Sequence, residues 1–304
     1  MIATSIIDLV GNTPLLELKN IEKMFNLNTK ILAKLEYLNP AGSTKDRAAK
    51  FMIEQAIAEG KINKNTLIIE PTSGNTGVGL AAIAASYGLK VVLTMPETMS
   101  IERQQLLKLY GAKIVLTPGE EGMVGAVKKA NELAKEVADS FIPGQFENPN
   151  NPLAHEKTTG PEIWRDTKGE IAAYFACIGT GGTLSGTGRF LKSQNKDIKI
   201  VGVEPEASPL ISKGYAGSHK IQGIGANFVP KNLDLNICYL IKTVSDNDAF
   251  DMTHLVSKNE GVLLGISSGA ALSAALSFCK ENDMNNKTIV VHCPDTGDRY
   301  LSVL

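Results

Sequence analysis

The sequence predicts an α/β protein of two domains, each a mostly parallel sheet layered with helices, and three observations carry that reading. Short apolar runs of strand character alternate with amphipathic stretches of helical length, the pattern of βαβ units, which implies parallel strands covered on both faces. The alternation restarts after the polar, Pro/Asn-rich stretch Asn148-Pro-Asn-Asn-Pro152, placing a boundary near 148. A length of 304 residues accommodates one large or two medium domains with ample core.

Taken in order, 9–16 and 30–36 read as early strands, and 46–59 as a helix with apolar Ala48, Phe51, Met52, Ile53 and Ile57 near helical spacing. A strand from 67 leads through a turn into a small-residue helix containing Ala81, Ala82, Ala84 and Ala85. Residues 90–95 form a strand, Ser100 caps a helix running to Gly111, 112–117 is a strand and 123–138 a helix. Residues 141–145 read as a short strand with its loop. Beyond the boundary, strands near 173–178, 199–204, 239–244 and 288–292 are again separated by helical segments.

Composition narrows the function. A net charge of -1 without basic or acidic blocks gives no footprint for nucleic acid or a membrane surface. The N-terminus lacks a basic segment and a cleavage site, and no apolar run reaches spanning length, so a cytoplasmic protein is expected. Cys177, Cys238, Cys279 and Cys293 show no metal-binding spacing, which makes buried thiols the default and leaves no metal site expected.

Four loops concentrate glycine and hydroxyl residues where helices begin. In Asn39-Pro-Ala-Gly-Ser-Thr-Lys45-Asp-Arg47 a lysine opens a helix. A lone lysine there is ordinarily a solvated surface residue; with its amine pKa lowered by burial and the helix dipole, it is instead a nucleophile for an aldehyde. Thr72-Ser73-Gly74-Asn75-Thr76-Gly77 offers more donors than one helix cap uses and suits a carboxylate. Gly179-Thr180-Gly181-Gly182-Thr183 follows an apolar strand and suits a phosphate. It is not a dinucleotide fingerprint, since Leu184 stands where a small residue is needed, and no Gly-Lys-Ser/Thr follows to make a P-loop. In Gly265-Ile-Ser267-Ser268-Gly269 a serine either caps a helix or meets a ring nitrogen. One ligand uses all four loops, pyridoxal 5′-phosphate.

These segments, with Gly11-Asn-Thr-Pro14, Met95-Pro-Glu-Thr-Met-Ser-Ile-Glu-Arg103, His155-Glu-Lys-Thr-Thr-Gly-Pro-Glu-Ile163 and His219-Lys-Ile-Gln-Gly-Ile-Gly225, run nearly end to end along the chain. Together they resemble the cysteine synthase (O-acetylserine sulfhydrylase) and cystathionine β-synthase family of fold-type II, tryptophan synthase β-like enzymes. The resemblance implies a larger cofactor-binding domain of 1–36 plus 149–304 and a smaller, mobile substrate-binding domain of 37–148. It makes Lys45 the Schiff-base lysine and catalytic base, Gly179 to Thr183 the phosphate loop, Asn75 the partner of the cofactor's 3′-oxygen and Ser267 that of the pyridine nitrogen. Thr72, Ser73, Gly74, Thr76 and Gln145 would bind the substrate α-carboxylate. The implied reaction is β-replacement through an aminoacrylate, most simply O-acetylserine plus sulfide to cysteine plus acetate. Cysteine- or serine-consuming replacement (cystathionine, lanthionine or hydrogen-sulfide formation) is the alternative, and a non-catalytic sensor is disfavoured by Lys45. A homodimer is implied. The chain departs from the family at Pro294-Asp-Thr-Gly-Asp298-Arg-Tyr300, in the short segment before His219 and at its end, Leu304. Relatives meet serine acetyltransferase in those regions, so that partner is implied less firmly than the homodimer. Asn227 is expected near the active-site mouth.

Overall fold

The computed structural model describes residues 2–304. Ten strands occur among them: β1 (Leu15–Glu17), β2 (Lys30–Leu35), β3 (Leu67–Pro71), β4 (Lys90–Pro96), β5 (Lys113–Thr117), β6 (Ser140–Phe141), β7 (Ala173–Cys177), β8 (Lys199–Pro205), β9 (Leu240–Val244) and β10 (Thr288–Cys293). The chain divides into two compact units, one of residues 2–10 and 45–151, the other of 11–44 and 152–304.

The first unit holds a four-stranded sheet in the order β5-β4-β3-β6, parallel throughout. Ile69 and Val92 bury against Ala130 of the helix Gly122–Glu136, with Leu67, Val115, Leu133 and Ile142 around them. The helix Lys45–Ala58 lies against the helix Asn75–Ser86 at very short range, because Gly79 has no side chain: a Cβ there would stand 3.0 Å from the Lys45 carbonyl oxygen. Residues 2–10 belong to this unit, although a larger domain beginning at residue 1 was expected. The Ser5 hydroxyl meets that of Ser86 at 2.9 Å, and Lys50 Nζ donates to the Ile7 carbonyl at 3.1 Å.

The second unit holds a six-stranded sheet in the order β1-β2-β10-β7-β8-β9. Only β1 with β2 is antiparallel. Alternate residues of β7 enter opposite cores. Ala173 and Phe175 join the cluster under the helices Asp246–Glu260 and Ile266–Glu281, and Tyr174 and Ala176 join that under Gly160–Asp166 and Gly182–Gln194. Both faces of the parallel core are thus covered, as βαβ connections require.

The expected strand at 9–16 is shorter than its apolar content suggests. Ile6–Leu9 form a 3-10 turn capped by Ser5, and Gly11 and Asn12 both take positive φ, 95° and 50°. Pro14 then lacks an N–H for a ladder, so pairing starts only at Leu15. At 141–145, β6 stops at Phe141 because Pro143 cannot donate and Gly144 turns into positive φ.

Candidate active site

Parallel strands present their functional loops at their carboxyl ends. In the first unit β3 delivers Thr72, Ser73 and Gly74 to the start of the helix Asn75–Ser86, where Gly74 occupies the N-cap and no side chain caps the helix. Two of the hydroxyls are engaged elsewhere. Thr72 Oγ1 accepts the Gly74 N–H at 3.3 Å, and Thr76 Oγ1 donates to Gln145 Oε1 at 2.5 Å. Thr72, Thr76 and Gln145 are buried, while Ser73, Gly74 and Asn75 are half-buried. Gln145 comes from a distant stretch of chain yet sits with the 72–76 loop, held by its main chain: its N–H donates to Glu70 Oε1 at 3.2 Å, and its carbonyl accepts from Asn151 Nδ2 at 2.8 Å. Glu70 also accepts the Gly144 N–H at 2.9 Å. Its carboxyl is buried, and loss of solvation pushes its pKa up to about 7 although both backbone N–H groups work against the rise. Half-buried Lys45 is the first residue of its helix, which runs beside the helix of Asn75.

In the second unit β7 runs into the loop Gly179–Thr183 and the thirteen-residue helix Gly182–Gln194. Gly181, at φ 78°, is the N-cap, and this helix too has no side-chain cap. The loop has no room for side chains at its glycines. A Cβ on Gly179 would lie 2.5 Å from the Gly223 carbonyl oxygen, and one on Gly181 2.8 Å from Leu233 Cα. Thr180 and Thr183 add buried hydroxyls beside the first-turn N–H groups. Thr180 Oγ1 accepts the Gly182 N–H at 3.4 Å; a glycine-lined backbone at a helix start, flanked by hydroxyls, fits a phosphate. Ser267 is the second residue of the helix Ile266–Glu281 and is buried. Its carbonyl accepts the Cys177 thiol at 3.1 Å, which ties the Ser267 end of that helix to the end of β7, just before the loop Gly179–Thr183.

The stretch leading to Lys45 is fixed at its near end within the second unit. Thr44 N–H donates to the Pro294 carbonyl at 2.8 Å, and Thr44 Oγ1 pairs with His292 Nε2 at 3.1 Å. Arg299 donates to the Ala41 carbonyl, and Tyr300 OH donates to Asp295 Oδ2 at 2.5 Å. The divergent 294–300 segment is thus built into this support. Asn227 is exposed. Sequence reasoning gave no role to Glu70 or His155 and expected of Cys177 only a buried thiol. For Glu70 the available signal was a charged residue ending an otherwise apolar strand.

The fold and these loops define a fold-type II pyridoxal-phosphate enzyme. The chain belongs to the pyridoxal-phosphate dependent enzyme family, whose model matches residues 6–295. It is 52% identical over 299 residues to a cysteine synthase of Staphylococcus aureus, covering 98% of this chain and 95% of that one. Among solved structures it is similar to a cysteine synthase from Entamoeba histolytica, with TM-score 0.97 and 41% identity over 100% of this chain and 90% of that one. It is also similar to a hydrogen sulfide-producing enzyme from Fusobacterium nucleatum, with TM-score 0.95 and 47% identity over 99% and 98% of the two chains. No helix among the described residues is long and apolar enough to cross a membrane.

Proposed function

We propose that this chain is a cysteine synthase, replacing the acetate of O-acetyl-L-serine by sulfide to give L-cysteine. The observation that carries this is the donor set of the first unit, Thr72 to Thr76 with Gln145, assembled beside the helix that begins at Lys45. It is a carboxylate receptor next to an amine. Identity to cysteine synthase over nearly the whole chain supports the choice of substrate.

Gly179 to Thr183 would hold the phosphate of pyridoxal 5′-phosphate through backbone N–H groups and hydroxyls. Ser267 would face its ring nitrogen and Asn75 its 3′-oxygen. When bound, the cofactor supplies an electron sink for charge developing at the amino acid's α-carbon. The rest falls to the chain. Lys45 would carry the covalent attachment to the cofactor, and its amine would serve as the base for the substrate α-proton. Thr72, Ser73, Gly74, Thr76 and Gln145 bind the α-carboxylate and so orient the α-proton toward the lysine. Ser267 is a hydroxyl, not a carboxylate, so it does not hold the ring nitrogen protonated. That moderates the sink and favours prompt departure of the β-substituent. Residues 45–151 act in this reading as the mobile, substrate-binding domain, and the protein works as a cytoplasmic homodimer.

The test is a product assay offering O-acetylserine, serine and cysteine with sulfide or homocysteine. Cysteine formed fastest from O-acetylserine and sulfide is the expected result. Faster turnover of cysteine or serine would replace this reading by a consuming β-replacement.

A further inference from the structure

Behind the phosphate loop lies a histidine that the reaction scheme does not use. His155 is 1% exposed and opens a π-helical turn, His155–Thr159, between the helices Asn150–Ala154 and Gly160–Asp166. Such turns disturb the regular ladder and recur at functional sites. Two contacts place its ring. Nδ1 meets Thr159 Oγ1 at 2.9 Å, and Nε2 meets Thr183 Oγ1 at 3.2 Å. The approach depends on Gly186, one turn beyond Thr183, where a Cβ would stand 1.9 Å from the Pro152 carbonyl oxygen and 2.9 Å from the Glu156 nitrogen. The helix of the phosphate loop and the chain bearing His155 therefore touch backbone to backbone.

Proton bookkeeping gives the array a direction. Thr159 is fully buried, and its hydroxyl lies 2.9 Å from the imidazole Nδ1, where it donates if the ring proton sits on Nε2. With Nδ1 accepting, a neutral ring carries its proton on Nε2 and donates to Thr183 Oγ1. Thr183 then spends a lone pair on the histidine and keeps its own proton for a different acceptor. We infer that His155 is a positioning residue for phosphate recognition: through the chain Thr159 to His155 to Thr183 it turns the Thr183 hydroxyl into a fixed donor aimed at the cofactor's phosphate. Without the histidine that hydroxyl would rotate freely and could present either a donor or a lone pair. The inference rests on the assignment of Gly179–Thr183 to the phosphate.

A double-mutant cycle tests it, read by cofactor binding and not by turnover. Apo-protein of the parent, His155→Phe, Thr183→Val and the double variant is titrated with pyridoxal 5′-phosphate and, separately, with pyridoxal, which lacks the phosphate. The 31P resonance of the bound cofactor is recorded for each. His155→Phe is expected to weaken pyridoxal 5′-phosphate binding by roughly tenfold, the scale of one lost hydrogen bond to a charged group, and to shift the 31P signal. Pyridoxal binding is expected to stay unchanged. In the Thr183→Val background His155→Phe should add nothing, and His155→Gln, whose amide still donates, should recover most of the affinity. Equal losses in both backgrounds, or equal losses for pyridoxal, overturn the inference and make His155 a packing residue. If His155→Phe does not fold, Thr159→Val puts the same question with a smaller change: a several-fold loss for pyridoxal 5′-phosphate alone, absent in the Thr183→Val background, is expected, and no loss overturns the inference. Failure of the parent chain itself to bind pyridoxal 5′-phosphate would reject the functional reading, whereas additivity in a parent that binds rejects only the role of His155.

Discussion

Glu70 holds Gln145 by its main chain: the two carboxylate oxygens accept the N–H groups of Gln145 and its neighbour Gly144, at 3.2 and 2.9 Å. A carboxylate at the end of β3 thereby sets the position of a residue far along the chain, which in turn meets Thr76 in the first turn of the helix that follows β3. The arrangement joins two stretches of chain, with the Gln145 side chain bound to Thr76 and its main chain to Glu70.

This anchor gives a pH signature. Burial raises the Glu70 pKa from 4.5 to about 7, so across that window the folded chain holds a proton that the unfolded chain has released. The contribution to stability is complete below the unfolded value and is lost as pH rises through the folded one. A shift of this size corresponds to roughly 3 kcal/mol. Glu70→Gln removes the titration, so the parent should lose stability relative to the variant between about pH 5 and pH 8 by up to that amount, read from denaturant unfolding. The variant should also bind amino acid more weakly, because an amide presents one oxygen and one NH2 to two N–H donors. A pH-independent difference between the two proteins would remove Glu70 from the titrating groups.

Lys45→Ala should lower turnover by a factor on the order of 10³ or more, since in the proposed reading one amine carries both the covalent attachment and the proton transfer. Cofactor is expected to remain bound through the phosphate loop, more weakly and without the visible absorbance of the lysine-linked form. Dialysis and absorbance spectra check the binding, and an assay of cysteine formation checks the rate. Normal turnover would reject the assignment of Lys45.

Much of the fold was legible because its signals are local. The apolar runs of β3, β4, β7, β8 and β10 and the glycine-hydroxyl turns after β3 and β7 can be read within a dozen residues, and so can the Ser100 cap, whose side chain accepts the Arg103 N–H. What lay beyond reach depends on pairings distant in sequence or on single backbone angles. Gly11 and Asn12 shorten the first strand through their positive φ. Glu70 meets the 144–145 turn across more than seventy positions, and His155 meets Thr183 across 28. None of these leaves a periodic trace. The candidate ligands were visible as residue types, but the groups that hold them in place were not.

The cysteines should behave as inert thiols. Burial pushes Cys293 up to about 12 and Cys238 and Cys279 up to about 11, and Cys177 higher still. Only the thiolate attacks a disulfide reagent, and at about pH 8 its fraction is minute at each site. A chromogenic disulfide reagent is expected to label the folded protein very slowly and all four thiols of the unfolded chain at once. Fast labelling of Cys177 in the folded state would mean that its bond to the Ser267 carbonyl is not maintained.

Gln145→Ala isolates the side-chain amide from everything else that residue does. The main chain at 145 stays fixed from two sides, by Glu70 on its N–H and by Asn151 Nδ2 on its carbonyl. Removal of the side chain therefore leaves the loop in place and deletes one donor to the substrate carboxylate. Thr76 loses its acceptor, but its hydroxyl can turn to the same carboxylate and recover part of the loss. An unmade buried hydrogen bond costs about 1–3 kcal/mol, which translates to roughly 5- to 150-fold in amino-acid affinity. KM for O-acetylserine should rise within that range, with cofactor affinity unchanged and thermal stability slightly lowered by the loss of the Thr76 bond. Gln145→Glu should be worse than alanine, since it sets a second negative charge against the substrate carboxylate. Steady-state kinetics on both variants, with cofactor titration alongside, decide the matter. A KM unchanged in Gln145→Ala, or a glutamate variant no worse than alanine, would mean that the substrate carboxylate is bound elsewhere.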